Sequence, residues 1–313
     1  MYDAHASRVQ YVDHLAPVWR ALPGRAFTVA DSALVRRASA RGVTARVGAP
    51  AGDLPVLVAS HRDELLVPGP ILFLEHGAGQ HYGGVDASGE GVGRPRVVLY
   101  LAPNPAVAAR TGAVMPNACT AAVGCPKLDR WLGWVPSGRP EPVVGLAWHW
   151  PSRSWPEAMW AYPHYRGVLA PLARRYRVLG HGHPRVFGHL ISDYRRAGIE
   201  AVADPEQLLT NIDLLVADNT SVLFEAAAVG LPVVVLDAPW YRRGVEHGLR
   251  FWTWADVGPR IGRAADLAGA VERAWAEREA YRPVREAMRA EVYGAWDGRA
   301  AQRAAQAISE AIG

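Results

Sequence analysis

The chain has 313 residues, half of them apolar, which is enough to build two cores, and its formal net charge is only +4. Apart from pairs such as Arg36-Arg37, Arg174-Arg175, Arg195-Arg196 and Arg242-Arg243, the basic residues are scattered. A nucleic-acid binder gathers them on one face, so general nucleic-acid binding is not expected. No apolar run approaches the roughly 20 residues that span a bilayer. The opening segment carries Asp3, His5, Asp13 and His14 and no apolar signal core. The expected setting is the cytoplasm, with peripheral attachment at the inner membrane face as the alternative. Cys119 and Cys125, without a second Cys/His pair at ligand spacing, read as packing thiols.

In chain order, short apolar or β-branched runs at Ala26 to Ala30, Pro55 to Ala59, Ile71 to Glu75 and Val97 to Ala102 predict strands. Helix-like runs fall at Ser32 to Arg41 and Ala106 to Arg110. Such alternation predicts a parallel sheet covered on both faces. The Pro-rich stretch Pro136-Ser137-Gly138-Arg139-Pro140-Glu141-Pro142 reads as a linker and hinge. Strands resume at Val143 to Trp148, Tyr176 to Leu179, Leu214 to Ala217 and Pro232 to Leu236. A helical tail rich in Ala, Glu and Arg follows from Ala264 to Ile312, with breaks expected at Pro283 and Gly294. The pattern predicts an N-terminal α/β domain over residues 1–137, a C-terminal α/β domain over 143–295, and a last helix over 296–313 that returns to the first domain.

Twelve tryptophans are many for this length. Most are expected to fill cores, with a sugar- or base-stacking surface as the alternative use of Trp148, Trp150, Trp155 and Trp160, or of Trp252 and Trp254.

Three segments carry candidate chemistry. In Glu75-His76-Gly77-Ala78-Gly79-Gln80-His81, His76 follows a strand and opens a glycine-rich loop. An imidazole there suits proton transfer near neutral pH, and Gly77 and Gly79 let backbone approach a ligand closely, with Gln80 next in the same candidate loop. In Gly180-His181-Gly182-His183-Pro184-Arg185, His183 and Arg185 again follow a strand and suit an oxyanion. A phosphate is preferred there over a metal on His181 and His183, because no carboxylate or cysteine ligand is near in sequence.

The third segment is Asp218-Asn219-Thr220-Ser221, between the run Leu214 to Ala217 and an apolar helix leading to Gly230-Leu231-Pro232. It is the strand, polar turn and helix start of a phosphate-binding βαβ unit, where backbone N–H groups and the helix dipole favour negative charge. A capped helix with no ligand fits the same residues. Glu225, one turn past Ser221, is placed to hold a nucleotide's ribose hydroxyls.

The order of these segments resembles a known family. A His-Gly loop after an N-domain strand comes first, then Gly124-Cys125-Pro126-Lys127-Leu128-Asp129 before the linker. A His-Pro pair after a C-domain strand follows, and last Asp218-Asn219-Thr220-Ser221-Val222-Leu223-Phe224-Glu225 ahead of Gly-Leu-Pro. Together, over about residues 70 to 255, they resemble the CDP-glycerol glycerophosphotransferase family of teichoic acid polymerases, which has the GT-B fold. The resemblance implies two Rossmann-like domains facing across a cleft, with C-terminal helices. It assigns His76 as general base on the acceptor hydroxyl and His183 as a contact of the donor diphosphate, and sets Asn219, Thr220 and Ser221 at the phosphate-binding helix start.

Two departures stand out. The family runs Thr-Pro-Leu-Lys after His-Gly where this chain has Ala78-Gly79-Gln80-His81, so that lysine is missing, and Glu225 stands where those polymerases commonly have Asp.

The expected function is transfer of a glycerophosphate or glycosyl group from a nucleotide-diphosphate donor to a hydroxyl acceptor such as a glycan, a polyol phosphate or a glycosylated macromolecule. No Asp-x-Asp motif occurs, and helix-start amides with His183 and Arg185 could neutralise a leaving nucleotide. A metal-independent reaction with no cofactor is therefore expected, the activated donor being a substrate. The alternatives are a nucleotide-sugar 2-epimerase and a non-catalytic nucleotide-binding module on the same fold. An epimerase needs cleft carboxylates, for which the first domain offers only Glu75, Asp86 and Glu90 near the loop.

Overall fold

The computed structural model describes residues 1–76, 94–137, 139–151, 160–241 and 253–313. Gly77, Gly79 and Gln80, the linker residue Gly138, Trp155 and Trp252 lie outside the described residues. The chain divides into one unit of residues 1–132 with 290–313 and a second of residues 133–289.

In the first unit the strands are β1 (Asp3–Ala6), β2 (Phe27–Val29), β3 (Arg46–Val47), β4 (Val56–Val58), β5 (Ile71–Leu74), β6 (Val97–Ala102) and β7 (Cys119–Ala122). They pair in parallel in the order β3-β2-β1-β4-β5-β6-β7. The helices are α1 (Val9–Ala21), α2 (Ser32–Ala40), α3 (His61–Leu66) and α4 (Pro105–Val114), followed by a 3-10 helix over Pro126–Trp131. Alternating strand residues feed two cores, as a sheet covered on both faces requires. Leu57, Leu72, Leu74 and Leu101 join Leu15 and Trp19 of α1, while Val56, Val58, Ile71 and Phe73 join Val107 of α4.

The acidic and histidine-bearing start of the chain gave no strand or helix signal, yet it forms β1 and α1. Asp3 is buried against Arg25, whose Nε donates to Oδ1 over 3.1 Å, and against the backbone N–H of Ala26. Asp13, buried on α1, receives Arg37 at 2.8 and 2.7 Å and Arg41 at 2.8 Å. These pairs satisfy charges that would otherwise keep both segments at the surface.

The second unit has β8 (Val144–Ala147), β9 (Val178–Gly180), β10 (Glu200–Ala201), β11 (Leu214–Ala217), β12 (Val233–Leu236) and β13 (Arg260–Ile261), all parallel, in the order β10-β9-β8-β11-β12-β13. Counting from its own first strand this is the 3-2-1-4-5-6 order of a dinucleotide-type sheet, whose ligand crevice lies at the carboxyl ends where the order reverses. That point falls between β8 and β11. Its helices are α5 (Tyr162–Tyr165), α6 (Leu169–Arg175), α7 (Pro184–Ala197), α8 (Pro205–Asn211), α9 (Ser221–Ala228) and α10 (Leu267–Ala276). The linker is tied to this sheet by Asp213, which accepts from Arg139 at 2.9 Å and from the Val143 N–H at 2.9 Å.

Helix α11 (Arg282–Tyr293) contains the boundary between the units, and α12 (Ala300–Ile312) packs against α1. The tail is broken ahead of Pro283 as expected: α10 ends at Ala276 and α11 restarts at Arg282, with Pro283 at its second position, where a missing N–H costs nothing. Gly294, with φ of 65°, does end that helix. Asp129 of the 3-10 helix caps α12, accepting from the N–H groups of Ala300 at 3.0 Å and Ala301 at 2.8 Å.

Candidate functional site

In the second unit the predicted residues gather at the carboxyl edge of the sheet. The β9 strand delivers His181-Gly182-His183 and then α7. His183 is the N-cap of that helix: its backbone N–H donates to the Trp148 carbonyl at 2.8 Å, and its Nδ1 accepts from the Arg185 N–H at 3.2 Å. An accepting Nδ1 places the proton of the neutral ring on Nε2, so the outward edge of the ring is a donor.

Arg185 lies over the Trp150 ring, 4.2 Å from its centroid, and the His183 ring is 5.9 Å from Trp150 and 6.0 Å from His149. The loop after β8 and the loop after β9 therefore meet in one aromatic and cationic cluster.

The tryptophans divide as burial dictates. Trp148 is in the core against Tyr162, whereas Trp150 is half-buried at this edge and Trp160 packs on Tyr162. The glycines around His181 serve helix packing: a Cβ on Gly180 would meet the Tyr194 ring at 2.6 Å, and one on Gly182 would collide with Leu190. His181 is buried, with Nδ1 3.0 Å from the Val202 carbonyl and Phe187 beside it. Among the described residues no group of three or more His, Cys, Asp or Glu side chains has a metal-binding arrangement.

The β11–α9 turn contributes Asp218 to Ser221. Asn219 and Thr220 are buried and Ser221 is half-buried. Thr220 occupies the N-cap position, and its side chain makes no capping bond. The backbone tightens instead, Thr220 N–H donating to Asp218 O at 2.7 Å and Leu223 N–H to Thr220 O at 3.1 Å. Glu225 is 5% exposed, one turn into α9.

Asp218, the first residue of the polar turn, has a structural part that its place in the motif does not show. Its fully buried carboxylate accepts from the His149 N–H at 2.7 Å and the Ala161 N–H at 2.8 Å, fastening the loop after β8 to the end of β11. Burial pushes its pKa up to about 7 against those two bonds. A surface groove of about 440 Å³ lined by Tyr162, Arg166, Asp193 and Arg196 includes none of the predicted residues.

In the first unit His76 stands just past β5 and is half-buried. Its ring meets Tyr11 of α1 edge-on at 4.9 Å and lies 6.1 Å from the His14 ring. Burial pushes its pKa down to about 4, opposed by a hydrogen bond to the Ala59 backbone, with the Lys127 charge adding to the depression. A ring nitrogen that donates to the Ala59 carbonyl leaves the other nitrogen with its lone pair, the form a general base needs.

The sequence pattern assigns no chemical role to His14 or Lys127. His14 is 3% exposed and, among the described residues, its Nδ1 has no hydrogen-bond partner. Its pKa is held well below the usual value by burial, then by Lys127 and His76. A signal for Lys127 was present in composition, since it is the chain's single lysine among 34 basic residues. Cys119 is exposed and Cys125 buried.

Residues 168–310 match the family described as CDP-Glycerol:Poly(glycerophosphate) glycerophosphotransferase, a stretch that includes His183, Arg185 and the β11–α9 turn. No curated protein sequence matches the chain. Among solved structures it is similar to the wall teichoic acid polymerase TagF, with a TM-score of 0.65 and 14% identity over 99% of this chain and 88% of that one. A form of TagF soaked with CDPG gives a TM-score of 0.62 and 13% identity over 99% and 88%. A putative UDP-N-acetylglucosamine 2-epimerase from Listeria monocytogenes gives 0.60 and 15% over 99% and 95%. At these identities the likeness shows the fold, which is that of the GT-B enzymes. The match over residues 168–310 to the CDP-glycerol glycerophosphotransferase family, on that fold, supports a transferase that uses a nucleotide-activated donor, and supports the epimerase reading less.

Proposed function

We propose that the second unit binds the diphosphate of the donor at the ends of β9 and β11, and that His76 of the first unit takes the proton of the acceptor hydroxyl. One observation carries the donor half: His183 with its proton on Nε2, Arg185 braced on Trp150 and the start of α9 all lie at the carboxyl edge of one parallel sheet. Each offers positive charge or an N–H group to an anion, and together they suit a leaving nucleotide phosphate. Glu225 is assigned to the ribose hydroxyls, and Asn219, Thr220 and Ser221 to the phosphates.

In glycerophosphate transfer the acceptor oxygen bonds to the β-phosphorus, the bond from that phosphorus to the bridging oxygen breaks, and CMP leaves with the electron pair. The acceptor proton passes to His76. In glycosyl transfer the acceptor oxygen attacks the anomeric carbon and a nucleoside diphosphate leaves. The family match favours the first, with CDP-glycerol as donor. The reading places the protein in the cytoplasm with no resident cofactor.

Thermal shift with CDP-glycerol, UDP-sugars, GDP-sugars and dTDP-sugars tests it. CDP-glycerol is expected to raise Tm and to be turned over when a polyol phosphate is supplied. Stabilisation by a UDP-sugar, with interconversion of its sugar and no acceptor, would return the epimerase reading.

A further inference from the structure

In the first unit the strand order reverses between β1 and β4, so the connections that leave these two strands diverge. The chain leaves β1 through Ser7 into α1, and leaves β4 through Ala59 and Ser60 into α3. Ser60 caps α3, its Oγ accepting from the Asp63 N–H at 3.0 Å. A serine cap with an acid three residues on is the pattern of a capping box, in which the acid returns to the N–H of the cap residue. The Asp63 carboxylate leaves its own helix instead: Oδ2 accepts from the Ser7 N–H over 3.1 Å.

Asp63 is fully buried, and burial pushes its pKa up against the bonds from Ser7 and Ser60 and the neighbouring His5. An exposed acid in the first turn would favour α3 without being desolvated, so the helix start does not account for burying this one. The join to Ser7 does.

What that bond joins bears on His76. Beyond Ser7 the chain enters α1, which packs beside β4 and carries Tyr11 and His14. The Tyr11 ring meets His76 edge-on at 4.9 Å, and the His14 ring lies at 6.1 Å. His76 stands at the end of β5, the strand paired with β4. The bond from Ser7 to Asp63 therefore ties the connection leading to Tyr11 to the strand beside the one leading to His76. The second unit has the same plan: Asp218, past β11, accepts from the N–H of His149, past β8, whose ring lies 6.0 Å from His183.

We propose that Asp63 is a positioning residue for His76. By holding the β1–α1 connection to the start of α3 it sets Tyr11 against the imidazole, and so fixes the direction in which the ring nitrogen meets an acceptor hydroxyl. The inference rests on the reading of His76 as base, and one of its readouts needs no turnover.

That readout is the ¹H–¹³C NMR signal of the His76 Cε1–H in histidine-labelled protein, identified as the signal lost in His76→Asn. Tyr11→Leu removes a ring current and is expected to move it. Asp63→Ala is expected to move it in the same direction and to lower kcat of transfer about tenfold to a hundredfold, the range for a small misplacement of a catalytic group. CDP-glycerol affinity and acceptor KM should be unchanged. Asp63→Asn keeps a carbonyl oxygen for the Ser7 N–H, and should restore the signal and most of kcat.

An unmoved His76 signal in folded Asp63→Ala overturns the proposal, as does a signal displaced equally in Asp63→Asn or a loss confined to donor affinity. Should Asp63→Ala not fold, Tyr11→Leu decides: unchanged kcat there would show that the contact through which Asp63 acts has no part in transfer. Near-normal transfer by His76→Ala would instead fail the base reading, with the ring signal still deciding whether Asp63 positions the imidazole.

Discussion

Lowering the pH from 7 to 5 is expected to destabilise the first unit through His76, and the size follows from linkage. An unfolded histidine titrates near 6.5, whereas folded His76 is pushed down to about 4. The folded state thus binds fewer protons across that interval. Its contribution is fully present above the unfolded pKa, is lost progressively as pH falls from about 6.5 to about 4, and changes no further below that. Between pH 7 and 5 the difference integrates to about 2 kcal/mol for a fully buried ring, and the half-buried state of His76 reduces this to about 1–2 kcal/mol.

His14 acts in the same direction, so the comparison must isolate His76. In His76→Asn the amide can still donate to the Ala59 carbonyl and has no proton to gain. Urea unfolding of both proteins at pH 7 and pH 5 is the assay, and the wild type should lose about 1–2 kcal/mol more than the variant. Equal losses would mean that His76 titrates normally in the fold, and the argument for a neutral, proton-accepting ring would fail.

Asp218→Asn should destabilise the second unit by about 1–3 kcal/mol at pH 6, because an amide cannot accept both the His149 and Ala161 N–H bonds. Folded Asp218 has a raised pKa of about 7, so its stability is lost as pH rises through that value. The penalty of the variant measured by urea unfolding should therefore shrink by about 1 kcal/mol at pH 8. Asp129→Ala removes the cap of α12 and should cost about 1 kcal/mol, read as a lower urea midpoint for the first unit. Arg185→Lys keeps the charge but gives up planar stacking on Trp150, and calorimetry should show donor affinity lowered severalfold with Tm unchanged.

The parts of the site that were legible in sequence are those written in contiguous residues. Leu214–Ala217, a polar turn and an apolar helix could hardly fold otherwise than as β11 and α9, and His76 and His183 each follow an apolar run that becomes a strand. Segments whose burial depends on distant partners were not legible. Asp3 and Asp13 gave β1 and α1 a surface character until Arg25, Arg37 and Arg41 were seen beside them. His14 of α1 and His76 just past β5 come together only in the fold, which no local pattern encodes. Thr220 takes the N-cap position that its type suggests, but the turn closes through the carbonyls of Asp218 and Thr220 and the hydroxyl makes no capping bond.

The division of labour between the two units is tested most directly by His76→Ala and His183→Ala in one experiment, with CDP-glycerol affinity and transfer rate measured for each folded variant. His76→Ala should lower transfer by about two to four orders of magnitude, the range for losing a general base, and leave donor affinity unchanged. His183→Ala should weaken the donor about tenfold and slow transfer further. Near-normal transfer by His76→Ala, or undiminished donor affinity in His183→Ala, would contradict the account.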